Sequence, residues 1–572
     1  RRWWPRGYGE AVLYAIAVEL LDHHEEVADL WEKNIGFRDA GVVEELDEIG
    51  MSFHVVVNDV PILIKGANWI PDDCFPTRLT VNDYRRSIGH ALDAGMNMLR
   101  VWGGGLYESE DFYRICDEEG ILVWQDFLMV CAAYSEEELL RNEIEAEARE
   151  QIQRLAWHAS LVHWNGSNEN VEGYHHWGWN IPAGVAWGNG YYTDLFPRLL
   201  ADLDPSRTYT PSSPYSRPKV EDPRNPAYGT VHNWVVWNQK DYQHYRDDVP
   251  RFAAEFGFQG PPNYATIENA ITERPLQADS PALLSHQKAA DGQLKLERGY
   301  EPHFPTPQSF DDFHYTTQLN QARALTVGVG YFRSLWPTCG GTIIWQLNDC
   351  WPVTSWAAVD GDGRRKLLWY AMRDLAAPLH LCVQPRDDQL VVTLGNDTDE
   401  AIAATLRMRR MTFAGEVREE STVHVDCAPR SAVTYVVSPR IAEPDDPAGE
   451  VLVVDSGGDA PGPHRAMHFF AEDKVLSLDP TALDATATLS GNGVDIRLTA
   501  RSVVRDVCVF ADRVDPDSVV SDQLITLLPG ESTVVRIATQ VQEDLEAFLA
   551  PPVLRHVAEL VAGRAEGDGE RR

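Results

Sequence analysis

The hydrophobic pattern changes character twice along the chain and divides it into three parts. Before about residue 58, the alternating stretches "AVLYAIAVELL" and "MSFHVVV" (Met51–Val57) predict β-strands. Two or three strands are too few for a stable sandwich, and the chain begins at Arg1 without a methionine. We therefore expect residues 1–58 to be part of a β-sandwich whose upstream sequence is missing.

From about Pro61, short apolar strands alternate with amphipathic helical stretches such as Val81–Ala94, Ser109–Glu119 and Glu136–Trp157. The predicted strands are Pro61–Ile64, Asn97–Trp102, Ile121–Phe127, Leu161–Trp164, Thr208–Ser212, Gly229–Trp234, Arg251–Phe256 and Gly341–Leu347. Eight βα units in roughly 320 residues are typical of a (β/α)8 TIM barrel with insertions. A doubly wound sheet is the alternative, but no G-x-G-x-x-G motif follows a strand.

After about Pro378, strand-like stretches alternate with turn signals such as "GND", "PDDPAG", "SGNG" and "LPGES". This pattern predicts two β-sandwiches, over residues 379–471 and 472–550. A short amphipathic helix and a polar, disordered end are predicted for residues 551–572. With a barrel over residues 59–378, the chain is predicted to be a multidomain α/β plus all-β protein.

Composition narrows the possible partners. The formal net charge of −37 disfavours nucleic acids and anionic membranes, which need clustered basic residues. The eight cysteines show neither CxxC nor zinc-site spacing, so no metal or cofactor site is predicted. No apolar run is long enough to span a membrane and no signal peptide is visible, so we expect a cytoplasmic protein. The sequence does not indicate an oligomeric state.

Two glutamates end predicted strands of the barrel. Glu169 follows the fourth strand in "WNGSNE", and Glu255 lies in the seventh strand, inside the apolar run "FAAEFGF". The carboxyl ends of these two strands face each other across a closed barrel. A glutamate at a strand end is often a solvated loop residue, but a charge inside an apolar strand needs a reason. Cleavage of a glycosidic bond requires two opposed carboxyl groups, one as acid and one as nucleophile.

Other polar and aromatic residues follow the same strands. Arg100 and His232 are predicted to keep the attacking carboxylate ionised, and Asn168 is predicted to bind a sugar hydroxyl. Trp102 and Trp345 are predicted to line a sugar pocket, because indole rings stack on sugar faces, although tryptophans also fill cores. Two further strand-end candidates are Asp126, with a helix cap as its alternative, and Trp234. Arg100 has a structural ion pair as its alternative.

His175 and His176 with Glu172 offer a metal-binding alternative, but a surface loop is the favoured interpretation because no second set of ligands has compatible spacing.

Six segments together resemble the β-mannosidases of glycoside hydrolase family 2. They are "PILIKGANWIPDDCFPTRLT", "NMLRVWGGGLYESEDFY", "ILVWQDFLMVCAAY", "WNGSNE", "RFAAEFGFQ" and "WQLNDCWPVTSW". The resemblance implies that Glu169 is the acid/base, that Glu255 is the nucleophile, and that Trp102, Trp345 and Trp177 line the mannose pocket. It also implies immunoglobulin-like sandwiches on both sides of the barrel: a partial one over 1–58 and complete ones over 379–471 and 472–550.

The chain departs from the family pattern in three places. An N-terminal jelly roll and the first half of the next domain are absent from the sequence, so the chain resembles a fragment. Asn233 stands where the family tends to have tyrosine, and Ser135 stands where it has proline.

The resemblance implies a retaining, exo-acting β-mannosidase that needs no cofactor and acts on manno-oligosaccharides or an N-glycan core. The alternatives are another family 2 specificity, such as exo-β-glucosaminidase or endo-β-mannosidase, and a non-catalytic glycan-binding protein.

Overall fold

The computed structural model describes residues 1–216, 222–458, 464–491, 493–541 and 543–562. Two units form, and the chain passes between them several times. The first unit comprises Arg1–Trp234, Arg246–Phe256 and Leu335–Cys350; the second comprises Val235–Tyr245, Gly257–Ser334 and Trp351–Arg572. Among the described residues, no helix combines the length and the apolarity needed to cross a bilayer.

The described residues of the first unit form thirteen strands and five α-helices. The strands are β1 (Tyr14–Leu21), β2 (Val27–Ile35), β3 (Ala40–Val43), β4 (His54–Val57), β5 (Val60–Ile62), β6 (Ile64–Trp69), β7 (Met98–Val101), β8 (Leu122–Asp126), β9 (Leu161–Asn165), β10 (Thr208–Thr210), β11 (Val231–His232), β12 (Ala253–Glu255) and β13 (Gly341–Ile344). The helices are α1 (Val81–Asp93), α2 (Glu110–Glu119), α3 (Glu138–Leu155), α4 (Asn170–His176) and α5 (Phe196–Leu203).

Eight parallel strands form the central sheet, in the order β10-β9-β8-β7-β6-β13-β12-β11. Strands β7, β8, β9, β12 and β13 are buried along their whole length, as expected for a parallel sheet covered on both faces. Met98, Leu122, Val162, Ala254 and Ile343 pack together in its core. Because all eight strands run in one direction, the residues that follow their carboxyl ends gather at one edge of the sheet.

The first predicted parallel strand, Pro61–Ile64, is wrong in position. Val60–Ile62 instead forms β5, which pairs antiparallel with β4, and the parallel strand is Ile64–Trp69. The cause is the two-residue turn at Asn58 and Asp59, whose φ angles of 53° and 72° suit a tight hairpin. Six of the other seven predicted strands contain β7, β8 and β10 to β13, and the seventh, Leu161–Trp164, falls one residue short of the end of β9 at Asn165.

Local signals explain where two of the helices begin and end. The Asp83 carboxylate accepts a hydrogen bond at 2.9 Å from the backbone N–H of Thr80, which satisfies a donor before the first turn of α1. Helix α2 ends at Gly120, whose φ of 73° is left-handed and suits glycine.

Seven α-helices and fourteen strands lie in the part of the second unit that the structure describes. The helices are α6 (Val235–Asn238, interrupted by non-helical angles at Val236 and Trp237), α7 (Tyr264–Ala270), α8 (Pro281–Ser285), α9 (Gly292–Tyr300), α10 (Phe310–Ser334), α11 (Leu367–Leu375) and α12 (Pro439–Ala442). The strands are β14 (Leu379–Arg386), β15 (Gln389–Asn396), β16 (Ile402–Thr412), β17 (Val417–Cys427), β18 (Ser431–Val436), β19 (Glu450–Gly458), β20 (His464–Phe469), β21 (Leu483–Ser490), β22 (Gly493–Ala500), β23 (Val504–Val509), β24 (Val519–Val520), β25 (Ile525–Leu527), β26 (Ser532–Ala538) and β27 (Leu554–Arg555).

These strands form four antiparallel sheets. Sheets β14-β15-β18 and β17-β16-β19-β20 share one core, which includes Val392 and Leu406. Sheets β21-β22-β26-β24 and β25-β23-β27 share another, which includes Ile496 and Val535. The predicted tail, 551–572, begins with packed residues, because β27 pairs with β23 and Val557 is buried. Residues 563–572 lie outside the described residues.

Candidate active site

Arg100 in β7 organises the polar edge of the sheet. Its side chain is fully buried, and its guanidinium binds two carboxylates. Nη1 lies 2.8 Å from Oε2 of Glu255 and 3.0 Å from Oδ1 of Asn68, while Nη2 lies 2.8 Å from Oδ2 of Asp126 and 2.6 Å from Oδ1 of Asn168. A buried guanidinium needs such partners to offset its lost hydration. The sequence predicts that Arg100 either forms a structural ion pair or holds the attacking carboxylate. It does both, since it pairs with Asp126 and contacts Glu255.

Asp126 ends β8 and holds Arg100 from the other side. Its carboxylate also accepts hydrogen bonds from Nε1 of Trp124 at 3.0 Å, Nδ2 of Asn165 at 2.8 Å and the backbone N–H of Gly103 at 3.2 Å. It is not a helix cap, because the next helix, α3, begins at Glu138. The Asp126 carboxylate is fully buried and faces protein donors, so its described role is to hold Arg100.

Glu169 lies between β9 and α4 in the left-handed conformation, with a φ of 61°. Oε1 lies 2.9 Å from Nδ1 of His232, and Oε2 lies 3.4 Å from Sγ of Cys131. The turn before it requires Gly166, because a Cβ there would come within 2.3 Å of the Tyr209 hydroxyl and 2.6 Å of the Pro211 carbonyl oxygen. The "WNGSNE" segment is thus a tight turn that delivers a buried carboxyl group.

Glu255 ends β12 and is held by charged and neutral donors. Besides Arg100, it accepts a hydrogen bond at 3.0 Å from Nε1 of Trp234 through Oε1. Nδ1 of His232 lies 3.7 Å from its Oε2. The predicted residues Arg100, His232 and Trp234 therefore all face this carboxylate.

The two glutamates and the histidine between them form a tight group. One atom each of Glu169, His232 and Glu255 can be chosen so that all three lie within 4.8 Å of one another. Among the described residues, this is the group whose donor atoms have metal-binding spacing. Arg100 already supplies a positive charge to Glu255 at 2.8 Å. In the alternative metal site predicted at Glu172, His175 and His176, Nε2 of His176 lies 3.0 Å from Oδ1 of Asp222.

The electrostatic environment treats the two glutamates differently. Burial raises the pKa of Glu169 to about 7, although the Cys131 hydrogen bond, the Arg100 charge and the Trp234 side chain each act to lower it. Burial also raises the pKa of Glu255, and the charge of Glu169 adds to that rise, whereas the directly bonded Arg100 opposes it. Burial lowers the pKa of His232 to about 4, so that its imidazole is neutral near pH 7. Near neutral pH, Glu169 can therefore carry a proton while Arg100 favours the ionised form of Glu255.

Three of the predicted tryptophans lie together beside the carboxylates. The rings of Trp102 and Trp345 meet edge to face with centroids 5.0 Å apart, and those of Trp234 and Trp345 meet at 6.5 Å. Trp177 is 42% exposed at the end of α4, and its ring contacts Trp179 with centroids 6.0 Å apart. The structure thus groups Trp102, Trp234 and Trp345, whereas the contact it describes for Trp177 is with a neighbouring loop residue.

Sequence reasoning missed three residues of this site. Asn68, Cys131 and Ser213 all contact the predicted residues. Asn68 is a polar residue inside a mostly buried strand, a conflict that could have identified it as it did Arg100. Cys131 and Ser213 lie in loops, where the sequence carries no such conflict.

Comparisons with known proteins agree with this geometry. No family model matches the chain. β-Mannosidase B of Emericella nidulans is 31% identical over 577 residues, which cover 94% of this chain and 66% of that protein. β-Mannosidase B of Aspergillus niger is 34% identical over 403 residues, which cover 67% of this chain and 47% of that protein. The chain therefore spans no more than about two thirds of the length of the curated relatives it matches.

Solved structures give the same result. The crystal structure of β-D-mannosidase from Dictyoglomus thermophilum matches with a TM-score of 0.87 and 32% identity, over 97% of this chain and 67% of that chain. The exo-chitosanase CsxA of Amycolatopsis orientalis matches with a TM-score of 0.70 at 17% identity, over 94% and 67% of the two chains, which is a likeness of fold alone. With the six sequence segments in order and the two glutamates brought together, the chain belongs to the β-mannosidase family of glycoside hydrolase family 2.

Proposed function

We propose that the protein is a retaining, exo-acting β-mannosidase that releases terminal β-D-mannose from manno-oligosaccharides or glycans. The observation that carries the proposal is the pair of buried carboxyl groups, Glu169 and Glu255, with oxygens within 4.8 Å of each other. Retaining glycosidases separate their carboxyl groups by roughly 5–5.5 Å, whereas inverting enzymes need roughly 6.5–9.5 Å to admit a water. The short separation favours a nucleophilic mechanism.

In the first step, the Glu255 carboxylate attacks the anomeric carbon and forms a glycosyl ester. The bond from that carbon to the leaving oxygen breaks, and Glu169 donates its proton to this oxygen. The roles follow from the surroundings, because Arg100 and Trp234 donate hydrogen bonds to Glu255. The hydrogen bonds described for Glu169 come from neutral groups, and its pKa is about 7.

In the second step, water attacks the anomeric carbon and the ester bond to Glu255 breaks. Glu169, ionised since the first step, accepts the proton from this water and returns to its starting state. Nδ1 of His232 lies within reach of both carboxylates, 2.9 Å from Glu169 and 3.7 Å from Glu255. It can therefore stabilise negative charge on Glu169 while Glu255 is esterified and neutral.

The sugar pocket is proposed to lie beside Glu255. The clustered rings of Trp102, Trp234 and Trp345 provide an aromatic wall suited to the C–H faces of a pyranose. Asn168, whose Oδ1 is held by Arg100, is proposed to contact the 2-hydroxyl through its side-chain amide. Trp177 remains a proposed contact for more distant parts of the substrate, since it follows Glu169 by the length of helix α4.

The finer architecture is also a proposal. The strand order of the parallel sheet supports a (β/α)8 barrel that closes between β10 and β11 over residues 59–378. The two pairs of antiparallel sheets support immunoglobulin-like sandwiches over residues 379–471 and 472–550. Residues 1–58 are proposed to be part of a third sandwich and residues 551–572 a C-terminal extension.

A panel of nitrophenyl β-glycosides tests the specificity, with the mannoside expected to be cleaved fastest and the product expected to keep the β-configuration by proton NMR. A 2-deoxy-2-fluoro mannoside with a good leaving group should label one peptide, the one containing Glu255, and Glu255→Gln should abolish both turnover and labelling. Glu108→Gln is the matched control, because Glu108 is equally buried but bonds to Trp69 and Tyr84. Labelling of a different peptide, or no mannoside turnover, would reject the proposal.

A further inference from the structure

His232 has a different partner on each of its two ring nitrogens. Nδ1 faces the carboxyl groups of Glu169 and Glu255, while Nε2 lies 2.8 Å from the hydroxyl oxygen of Ser213. Both His232 and Ser213 are buried. A neutral imidazole has one N–H and one lone pair, so the partners decide which nitrogen carries the proton.

One arrangement of the hydrogens near Ser213 satisfies every donor there. The backbone N–H of Tyr215 is shared between the carbonyl oxygen and Oγ1 of Thr230, each at 3.2 Å, which leaves the Thr230 hydroxyl proton free to point elsewhere. Thr230 lies 3.4 Å from Oγ of Ser213, which can accept from it and donate its own proton to Nε2 of His232. Nε2 then holds the lone pair, and Nδ1 carries the hydrogen that points at the carboxyl groups.

We infer that Ser213 is a positioning residue for the acid/base: by donating to Nε2 of His232, it keeps the transferable proton of Glu169 on Oε2. This inference rests on the proposed function. With Nδ1–H aimed at Oε1 of Glu169, that oxygen acts as an acceptor, and the acidic proton resides on the other oxygen. In the opposite tautomer the Nδ1 lone pair would draw the proton to Oε1, toward the histidine and away from a leaving group.

The backbone near Ser213 supports the same role. The N–H of Glu169 donates to the Ser213 carbonyl at 2.8 Å, and the N–H of Ser213 donates to the Ser167 carbonyl at 3.0 Å. The segment that holds Glu169 in its left-handed conformation therefore also fixes the hydroxyl that orients His232. Any movement of this loop would change the carboxyl group and its histidine partner together.

Ser213→Ala tests the inference, with Ser212→Ala as the matched control. Ser212 is the neighbouring residue and equally buried, and its Oγ has no hydrogen-bond partner among the described residues. For a β-mannoside with a poor leaving group, we expect Ser213→Ala to lower kcat/KM by about 10- to 100-fold, which is at or below the lower end of the roughly 10²- to 10⁴-fold range for loss of general acid catalysis. For 2,4-dinitrophenyl β-mannoside, which needs no proton to depart, kcat/KM should change less than about 3-fold.

A second readout reports the tautomer directly and does not need activity. In protein labelled with ¹⁵N-histidine, His232, assigned by its loss in His232→Gln, should show a protonated Nδ1 and an unprotonated Nε2. Ser213→Ala should shift this pattern toward protonated Nε2, and Ser213→Thr, which restores a hydroxyl, should restore it. If Ser213→Ala does not fold, Ser213→Cys, with a weaker donor, should give the same changes in smaller measure.

The outcomes separate the two proposals. If the unmodified protein cleaves β-mannosides and Ser213→Ala behaves as Ser212→Ala does, this inference is wrong and the proposed function stands. Equal losses on both substrates with an unchanged His232 tautomer also overturn it, because they indicate a general structural role. If the unmodified protein cleaves no β-mannoside, the proposed function fails, and the tautomer measurement still decides whether Ser213 sets the proton position on His232.

Discussion

Replacing Arg100 with methionine removes the charge that links the catalytic nucleophile to the rest of the site. The substitution keeps a long side chain in a fully buried position but leaves Asp126 and Glu255 without their cation. Breaking one buried ion pair by removing a partner costs about 3–5 kcal/mol of unfolding free energy. We expect a loss of at least this size, because two carboxylates lose the same partner.

The effect on catalysis has a direction that can be predicted separately. Arg100 lowers the pKa of Glu255, and a cation at this distance typically shifts a carboxyl pKa by about 1–3 units. Glu255 attacks in its ionised form, so without Arg100 the acid limb of kcat/KM should move to higher pH by about that much. If the pKa of Glu255 rises by about two units, kcat/KM falls about 100-fold at any pH below the acid limbs of both the unmodified protein and Arg100→Met.

The assay is the pH dependence of kcat/KM on nitrophenyl β-mannoside for the unmodified protein and for Arg100→Met, with Arg207→Met as the control. Arg207 also has a nearly buried side chain, but the carboxylate it pairs with is Asp204, at 2.6 Å. The control should lose stability and keep its acid limb. If the acid limb of Arg100→Met lies at the same pH as that of the unmodified protein, Arg100 does not keep Glu255 ionised, whatever activity the variant retains.

Three further predictions concern single groups. Glu169→Ala should retain much of its activity on substrates with good leaving groups, lose about 10²- to 10⁴-fold on poor ones, and form β-mannosyl azide when azide is added; equal losses with no azide product would remove Glu169 from the role. In the unmodified protein, kcat/KM for poor leaving groups should fall as pH rises above about 7, because Glu169 must be protonated to donate; a pH profile that shows no such fall on the alkaline side would contradict this. His303 bonds to Asp241 and Glu472 at 2.6 Å each, and although burial alone would lower its pKa, these bonds raise the pKa to about 9. Its contribution, on the order of 3 kcal/mol, should be fully present below about pH 6.5 and lost as pH rises to about 9, so urea unfolding of His303→Gln should show a weaker pH dependence over that window.

How well a residue can be predicted from the sequence depends on whether it conflicts with its local pattern. Glu255 and Arg100 are charges within apolar strands, and that conflict alone is enough to identify them as candidates. Because the carboxyl ends of all the strands gather at one end of a closed barrel, these two residues are then predicted to lie near Glu169. Strand β5 is misassigned because the apolar run near Pro61 does not show where an antiparallel hairpin ends and the parallel sheet begins.

The residues that support the site are harder to predict. Ser213 and Cys131 contact His232 and Glu169 only because loops after neighbouring strands run side by side, as the bridges between Asn168 and both Val130 and Ser213 show. A serine or cysteine in a loop is unremarkable in composition and periodicity. Trp177 shows the opposite limit, since its prediction depends on a family resemblance and it lies exposed at the end of a short helix.

The strand order of the parallel sheet has a consequence for the protein during its synthesis. In the described sheet, ladder pairing reaches β12 and β11 from β6 only through β13, which is made last. Glu255 leaves the ribosome 344 − 255 = 89 residues before β13 is complete at Ile344. At about 5–20 residues per second, this delay is on the order of 4–18 seconds. During that interval the strand bearing the nucleophile awaits β13, which joins it to β6 and through β6 to the strand bearing Arg100. A nascent chain that stops within residues 257–340 therefore holds both glutamates without these ladder pairings.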